Sequence, residues 1–202
     1  MKRSHALYPV IRPGDAAQEG GGPSLDARLD MSVPDPVLRA FLERQAEEGR
    51  ALAQASDILE LECLPTGQHF VAHFNCRGLV KEPNGVVREA ESFHLGVFFG
   101  SDYLRAVSPY ETLTLLGPLN TYHPNVAFGA PFICVGHIAP GTALVDLLYQ
   151  AYEILTYQKL TPREDNAMNK EACRWARANQ ERFPIDRRPL KRRPLALEVE
   201  PV

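Results

Sequence analysis

The chain has 202 residues, is 45% hydrophobic and carries a formal net charge of −3. That length and apolar content fit one core-bearing domain with tails, and the slight negative charge gives no general case for a nucleic-acid partner. No stretch approaches the roughly 18 apolar residues of a membrane span; Met1-Lys2-Arg3 leads into Ser4 and His5 rather than an apolar run, so no secretory leader is read and a cytoplasmic location is expected.

Residues 1–31 read as a flexible arm: Gly20-Gly21-Gly22-Pro23 and scattered Pro, Asp and Gln bury little. A helix is predicted from Asp35-Pro36, with Asp35 as cap and Pro36 at the first helical position. Val37, Leu38, Phe41, Leu42 and Leu52 form its apolar stripe, and it should end near Ser56. The period then changes to two. A first strand carries Ile58, Leu59, Leu61 and Leu64. In a second, Phe70, Ala72, Phe74 and Cys76 alternate with His69, Val71, His73 and Asn75. Pro83-Asn84-Gly85 signals a turn. A third strand places Phe93, Leu95, Val97 and Phe99 on one face, with His94 and Phe98 on the other. Thr112 to Leu116 form a fourth. The short links favour an antiparallel meander, because parallel neighbours need crossovers.

Residues 117–142 are irregular and rich in Gly and Pro. So long a segment without an element is unusual in a compact domain and is usually functional or disordered; its Val, Phe and Ile content argues against disorder. A helix is predicted over 142–156 on the stripe Leu144, Leu147, Leu148, Ala151, Ile154 and Leu155, and another over 167–182 with Met168, Cys173, Trp175 and Ala176. Residues 184–202, Pro-rich and basic (Arg187, Arg188, Lys191, Arg192, Arg193), read as a tail. The domain itself is expected over 32–183.

The irregular segment holds Tyr122-His123-Pro124-Asn125-Val126 and, further on, Cys134. Of the four cysteines (Cys63, Cys76, Cys134, Cys173), none form CxxC or metal-finger spacings; Cys63, Cys76 and Cys173 lie on periodic apolar stretches and read as core, and only Cys134 falls outside one. A thiol accepts an acyl group and passes it to an amine. The attack goes through an oxyanion that a side-chain amide can stabilise. Asn125 therefore reads either as an oxyanion donor or as a loop organiser, since Asn after Pro also suits a turn. His123 reads first as structural, its ring bonding a backbone group, and second as a proton carrier. His137, three residues past Cys134, is either a solvated loop histidine or a group that helps deprotonate an incoming lysine. Asp165, just before the last predicted helix, reads as a helix cap.

With these residues in hand, the chain resembles the ubiquitin-conjugating enzyme family. Tyr122-His123-Pro124-Asn125-Val126 with Cys134 is similar to the family's signature loop. Phe93-His94-Leu95-Gly96-Val97-Phe98-Phe99 with Asp102-Tyr103 resembles its strand and following turn, and Asn169-Lys170-Glu171-Ala172 resembles the opening of its penultimate helix. The likeness covers about residues 36–182. It implies an α/β (α+β) fold with an N-terminal helix, a four-stranded antiparallel meander, a long active-site loop and C-terminal helices. It also implies a thioester on Cys134, supported by Asn125 and flanked by an acidic or polar residue near Asp165. Val135-Gly136-His137 follow Cys134 where eukaryotic members usually have Leu, and their Trp-Ser-Pro segment is missing, so the resemblance is to a divergent bacterial branch. The implied partners are a ubiquitin-like modifier, an adenylating activating enzyme, a target lysine and a deconjugating metallopeptidase; some such sets are linked to antiphage defence. No cofactor and no metal is implied. A non-catalytic scaffold of the same fold, or a cysteine hydrolase using Cys134 and a nearby His, are the alternatives.

Overall fold

The computed structural model describes Val33 and residues 35–192. The arm expected over 1–31 and residues 193–202 of the tail lie outside them. Helix α1 (Pro36–Gln54) starts where the cap chemistry places it: the Asp35 carboxylate accepts from the Val37 and Leu38 amides, and Pro36 needs no partner for a missing N–H. Its buried face is Leu38, Phe41, Leu42, Gln45, Ala46, Gly49 and Leu52. The strands are β1 (Leu59–Cys63), β2 (His69–Phe74), β3 (Gly78–Lys81), β4 (Val87–Ala90), β5 (Phe93–Phe98) and, after the short helical turn α2 (Pro109–Thr112), β6 (Leu113–Gly117). The main sheet has the order β1-β2-β5-β6, every pair antiparallel.

Strand alternation decides what the sheet buries. Phe70, Ala72, Phe74, Phe93, Leu95, Val97, Leu113 and Leu115 point to one face and are fully or almost fully buried. Helices α1 and α3 (Leu144–Leu155) contribute to the same core from their own apolar stripes. Each Phe, Leu or Val of this set removed from water contributes about 1.5–3 kcal/mol. The N-terminus of α3 has no cap of its own, because Ala143 offers no side-chain acceptor. Gln45, buried on α1, supplies one: its Oε1 accepts from the Leu144 amide at 2.7 Å.

The mixed α/β class, the leading helix and the four-stranded antiparallel meander agree with the sequence reading. Other features differ from it. The turn at Pro83-Asn84-Gly85 belongs to a separate hairpin, β3-β4, that was not expected. Its strands have only four residues each, and β4 reads Val-Arg-Glu-Ala, too short and polar to show a period. The final helix, α4, covers only Lys170–Ala178; Asn169 caps it by accepting from the Ala172 amide, and a separate 3-10 turn follows at Gln180–Arg182. Cys63 is half-buried rather than core, while Cys76 and Cys173 are buried.

The segment after residue 183 also departs from a solvated tail. Ile185, Asp186 and Leu190 are buried. The Ile185 amide donates to the Thr156 carbonyl at 2.9 Å and the Arg192 amide to the Ala55 carbonyl at 2.8 Å. Asp186 accepts from the Arg77 amide at 2.9 Å and pairs with Arg188 at 2.6 Å. Burial alone would raise the Asp186 pKa; the bonds from Arg188 and the Arg77 amide outweigh it and hold the pKa down to about 2. Residues 184–192 are therefore a strap across β2 and α3. Its Pro and Arg content hides three buried side chains whose partners lie far away in sequence.

A second, smaller apolar cluster joins Leu79, Tyr122, Tyr157, Ala172, Ala176 and Ile185. It fixes the base of the long loop to β3 and α4. No helix among the described residues is long and apolar enough to cross a membrane.

Candidate functional site

The loop from Pro118 to Ala143 folds back on itself. The Thr121–Val80 bridge and the Tyr122 amide, donating to Leu79 at 2.7 Å, tie its start to β3. A second bridge pairs Val126 with Ile133, closed by the Ala127 amide on the Phe132 carbonyl at 2.9 Å. Gly129 takes φ +73° in the turn between them, a value that glycine reaches without cost. This reversal puts Asn125 directly opposite Cys134. The eight residues between them are the turn that brings a thiol to a carboxamide.

Asn125 is almost fully buried and every one of its polar atoms is engaged. Its carbonyl accepts from the Cys134 amide at 2.8 Å. Its Nδ2 donates to the Cys134 carbonyl at 3.0 Å, and its Oδ1 accepts from the Thr161 amide at 2.9 Å. Its own amide donates to His123 Nδ1 at 3.0 Å. The loop-organising role is thus present in the geometry. One N–H of the carboxamide remains beyond the bond to Cys134.

His123 is fully buried, with its ring edge-on to Tyr157 at 4.4 Å. Burial drives its pKa from 6.5 down to about 3, with the Lys159 backbone pulling slightly the other way. Nδ1 is the acceptor, and Nε2 has no partner of good hydrogen-bond geometry among the described residues. A neutral, enclosed imidazole of this kind braces the loop and is not placed to exchange protons with solvent.

Cys134 is exposed, alone among the four cysteines in that respect. It borders a cleft of about 190 Å³ walled by Tyr110, Ile133, Val135 and Ile138. Gly136, at φ +103°, turns the chain away just beyond it. A larger cleft among the described residues, about 540 Å³ beside Ser92 and Arg77, is lined by no cysteine. Cys76, by contrast, is pushed up to about 12 by burial, and burial also raises Cys63. Both are poor nucleophiles on that account.

The remaining sequence candidates, His137 and Asp165, make no hydrogen bond to Asn125 or Cys134 among the described residues. His137 is exposed and makes no hydrogen bond among the described residues. Asp165 is exposed in a 3-10 turn (Glu164–Asn166) and pairs with Arg163 at 2.7 Å. Its capping reading is corrected: Asn169 caps α4, and Asn169 is also tied to the loop by its amide on the Pro124 carbonyl at 3.1 Å. Three residues that sequence reading passed over do reach the site. Tyr157 packs on His123, Thr161 bonds Asn125, and Lys159 Nζ donates to the Val135 carbonyl at 3.3 Å. Each depends on tertiary folding of the segment after α3, for which no local pattern exists. Among the described residues no group of three or more His, Cys, Asp or Glu is placed to hold a metal ion.

No protein-family model matches the chain, and no curated protein matches it.

Proposed function

We propose that the protein is a conjugating enzyme for a ubiquitin-like modifier. Cys134 takes the modifier's C-terminal acyl group as a thioester from an adenylating activating enzyme and passes it to an amine, a lysine side chain in the target. The observation that carries this reading is the pairing of Asn125 with Cys134. An exposed thiol is held on an irregular loop by a buried carboxamide that bonds the thiol-bearing residue itself.

The order of elements supports a ubiquitin-conjugating-like fold: a leading helix, a four-stranded meander, the His123-Pro124-Asn125 loop with Cys134, then helices. The chemistry fits as well. Transthioesterification needs a reachable thiol and no fixed general base. Cys134 has neither an imidazole bonded to it nor a place at a helix N-terminus among the described residues, the two features a cysteine hydrolase would use. A scaffold without catalysis would not need the one exposed cysteine at this position. The assignment to an antiphage set and a bacterial pathway rests on the sequence resemblance.

The test is thioester trapping. The protein is incubated with a purified modifier, its activating enzyme and ATP, both partners taken from the neighbouring genes. An adduct that is lost on reduction and absent from Cys134→Ala is the expected result. No adduct with an activating enzyme that is itself charged would end the proposal.

A further inference from the structure

The solvent face of the main sheet carries a cluster that the loop at Cys134 does not use. Glu60 on β1, His73 on β2 and His94 on β5 form one row across three strands: Glu60 pairs opposite His73, and His73 opposite His94. The hydrogen-bond pattern decides how near the two rings come. The Phe99 amide donates to the Gln68 carbonyl, which marks that opposing pair as hydrogen-bonded. Such pairs alternate with non-hydrogen-bonded ones along an antiparallel ladder. His73 and His94 lie an odd number of steps further along, so they form a non-hydrogen-bonded pair, with Cα atoms only about 4.5 Å apart. Their rings accordingly stack at 4.3 Å and 16°, the one histidine–histidine stack among the described residues.

Both rings aim the same nitrogen at one point. Nε2 of His73 lies 2.9 Å, and Nε2 of His94 3.3 Å, from the Ser92 hydroxyl oxygen. A hydroxyl has one proton to give, so it cannot donate to both rings; one of them has to present an N–H to the oxygen. On the other side of His73, Glu60 lies 3.8 Å from Nδ1, and its second oxygen is held by the Asn75 carboxamide at 3.2 Å. A carboxylate in that place favours the tautomer with the proton on Nδ1 and the lone pair on Nε2, which is the form that a metal ion takes up. The two cations on the adjoining cleft are offset. Arg77 faces Glu89 at 3.6 Å, and Arg188 faces Asp186 at 2.6 Å.

We infer that His73 and His94 chelate a divalent ion of the zinc, nickel or copper class through their Nε2 atoms, with Glu60 as the outer partner of His73 and water in the remaining positions. Imidazole suits these ions, whereas magnesium and calcium prefer oxygen ligands. It is a two-ligand site: no third His, Cys, Asp or Glu among the described residues is placed to join the pair. Bonding needs about 2.0–2.1 Å from each nitrogen. Each ring therefore closes by about 1 Å toward the point that Ser92 now marks, and the hydroxyl swings aside. Rings on the solvent face have room for that turn. The two nitrogens meet only when β2 and β5 are paired, so the ion binds the folded sheet and acts as a clip across it. None of this depends on the thioester reading of Cys134.

Titration of the tag-free protein with zinc chloride or copper sulfate alone tests this, with Cys134 capped by N-ethylmaleimide so that its exposed thiol takes no part. Calorimetry and the melting midpoint follow binding, and electron paramagnetic resonance reads the copper ligands. The expected result is one ion per chain at micromolar affinity, a higher melting midpoint and a copper spectrum coupled to imidazole nitrogen; magnesium chloride should give none of these. His73→Gln and His94→Gln should keep the parent's melt without metal and each weaken binding at least about tenfold. Glu60→Gln leaves both nitrogens in place and should weaken binding about tenfold; equal affinity there would overturn the part given to the carboxylate. Affinity no better than millimolar, or equal in the parent and His94→Gln, marks an adventitious ion only and overturns the site. Binding seen only with the thiol uncapped belongs to Cys134 and overturns it as well.

Discussion

Asn125 grips Cys134 at both ends of the cysteine's main chain: its carbonyl takes the Cys134 amide, and its carboxamide holds the Cys134 carbonyl. The same carboxamide reaches across to Thr161. One side chain thus ties the thiol-bearing loop to the segment after α3. Asn125→Ala removes both side-chain bonds and leaves the half-buried Thr161 amide and the Cys134 carbonyl without partners, a loss of about 1–2 kcal/mol. The variant should melt at lower temperature, and charging of Cys134 and discharge to lysine should both fall. A melting curve beside a single-turnover assay on pre-charged enzyme checks this. Normal stability with slow discharge alone would instead assign Asn125 to the oxyanion, where one lost donor is worth about a hundredfold or more.

The cysteines should report in a fixed order. A thiol reagent applied to the native protein should modify Cys134 first, half-buried Cys63 much later, and Cys76 and Cys173 only on unfolding. Cys134→Ser should keep the melting temperature of the parent yet block turnover, because an oxyester resists aminolysis far more than a thioester does. Mass mapping after brief labelling is the measurement, and early modification of Cys76 or Cys173 would contradict the burial described.

Helix α1, the four strands of the main sheet and α3 were legible because each buries one face of a regular element, and a regular element prints its period on the sequence. The pair Asn125 and Cys134 was legible as a motif, though its bond pattern was not. The strap over 184–192 hid behind its composition: Ile185, Asp186 and Leu190 each satisfy a partner that is distant in sequence. Gln45 looks like one more polar residue on a helix and is in fact the cap of another helix. Lys159 and Tyr157 sit in a short connection whose path depends on the aromatic cluster beneath it. Local chemistry marks elements; contacts between elements leave no local mark.

Burial of His123 makes the fold acid-sensitive in a definite window. The native state keeps this ring neutral down to about pH 3, whereas in the unfolded chain it gains a proton below about 6.5. The unfolded state therefore binds more protons between those values. Stability is complete above the unfolded pKa and is lost as pH falls, by about 1.4 kcal/mol per pH unit, or about 2 kcal/mol by pH 5. His123→Asn places an acceptor near the position of Nδ1 with nothing to titrate. Its stability, measured by denaturant melts from pH 7.5 to 4.5, should fall less steeply than that of the parent. Parallel slopes would show that His123 is not the group responsible.

Gly78 opens β3 at a place with no room for a side chain. A Cβ there would lie 2.5 Å from the Leu155 carbonyl oxygen and 2.7 Å from the Phe93 ring. The oxygen is backbone at the end of α3 and cannot swing aside, so either the hairpin or α3 must shift. Gly78→Ala should cost about 1–3 kcal/mol, as overpacking of a filled core does. The neighbouring turn offers a control: Gly85 has open space around it, and Gly85→Asn, which tolerates positive φ, should change the midpoint of a denaturant melt little.

Asp186 should be the anchor of the C-terminal strap. Its carboxylate is almost fully buried and accepts from the Arg77 amide, the Arg188 amide and the Arg188 guanidinium. Arg188 in turn donates to the Asn75 carbonyl at 2.9 Å, so the charge pair pins the strap to the end of β2. Asp186→Asn keeps the size but removes the charge and turns one acceptor oxygen into a donor facing other donors. The Arg188 side chain is more than half exposed, so water screens its charge once the pair is lost; leaving the Arg77 amide short of an acceptor should cost about 1–2 kcal/mol. Because Arg188 and Asp186 hold the residues on either side of Cys76, which is fully buried, the variant should expose that thiol. Labelling of Cys76 under native conditions should rise at least about tenfold above the parent, in line with a rise in the open population. Full protection of Cys76 with an unchanged melt would show that Ile185 and Leu190 hold the strap without the ion pair.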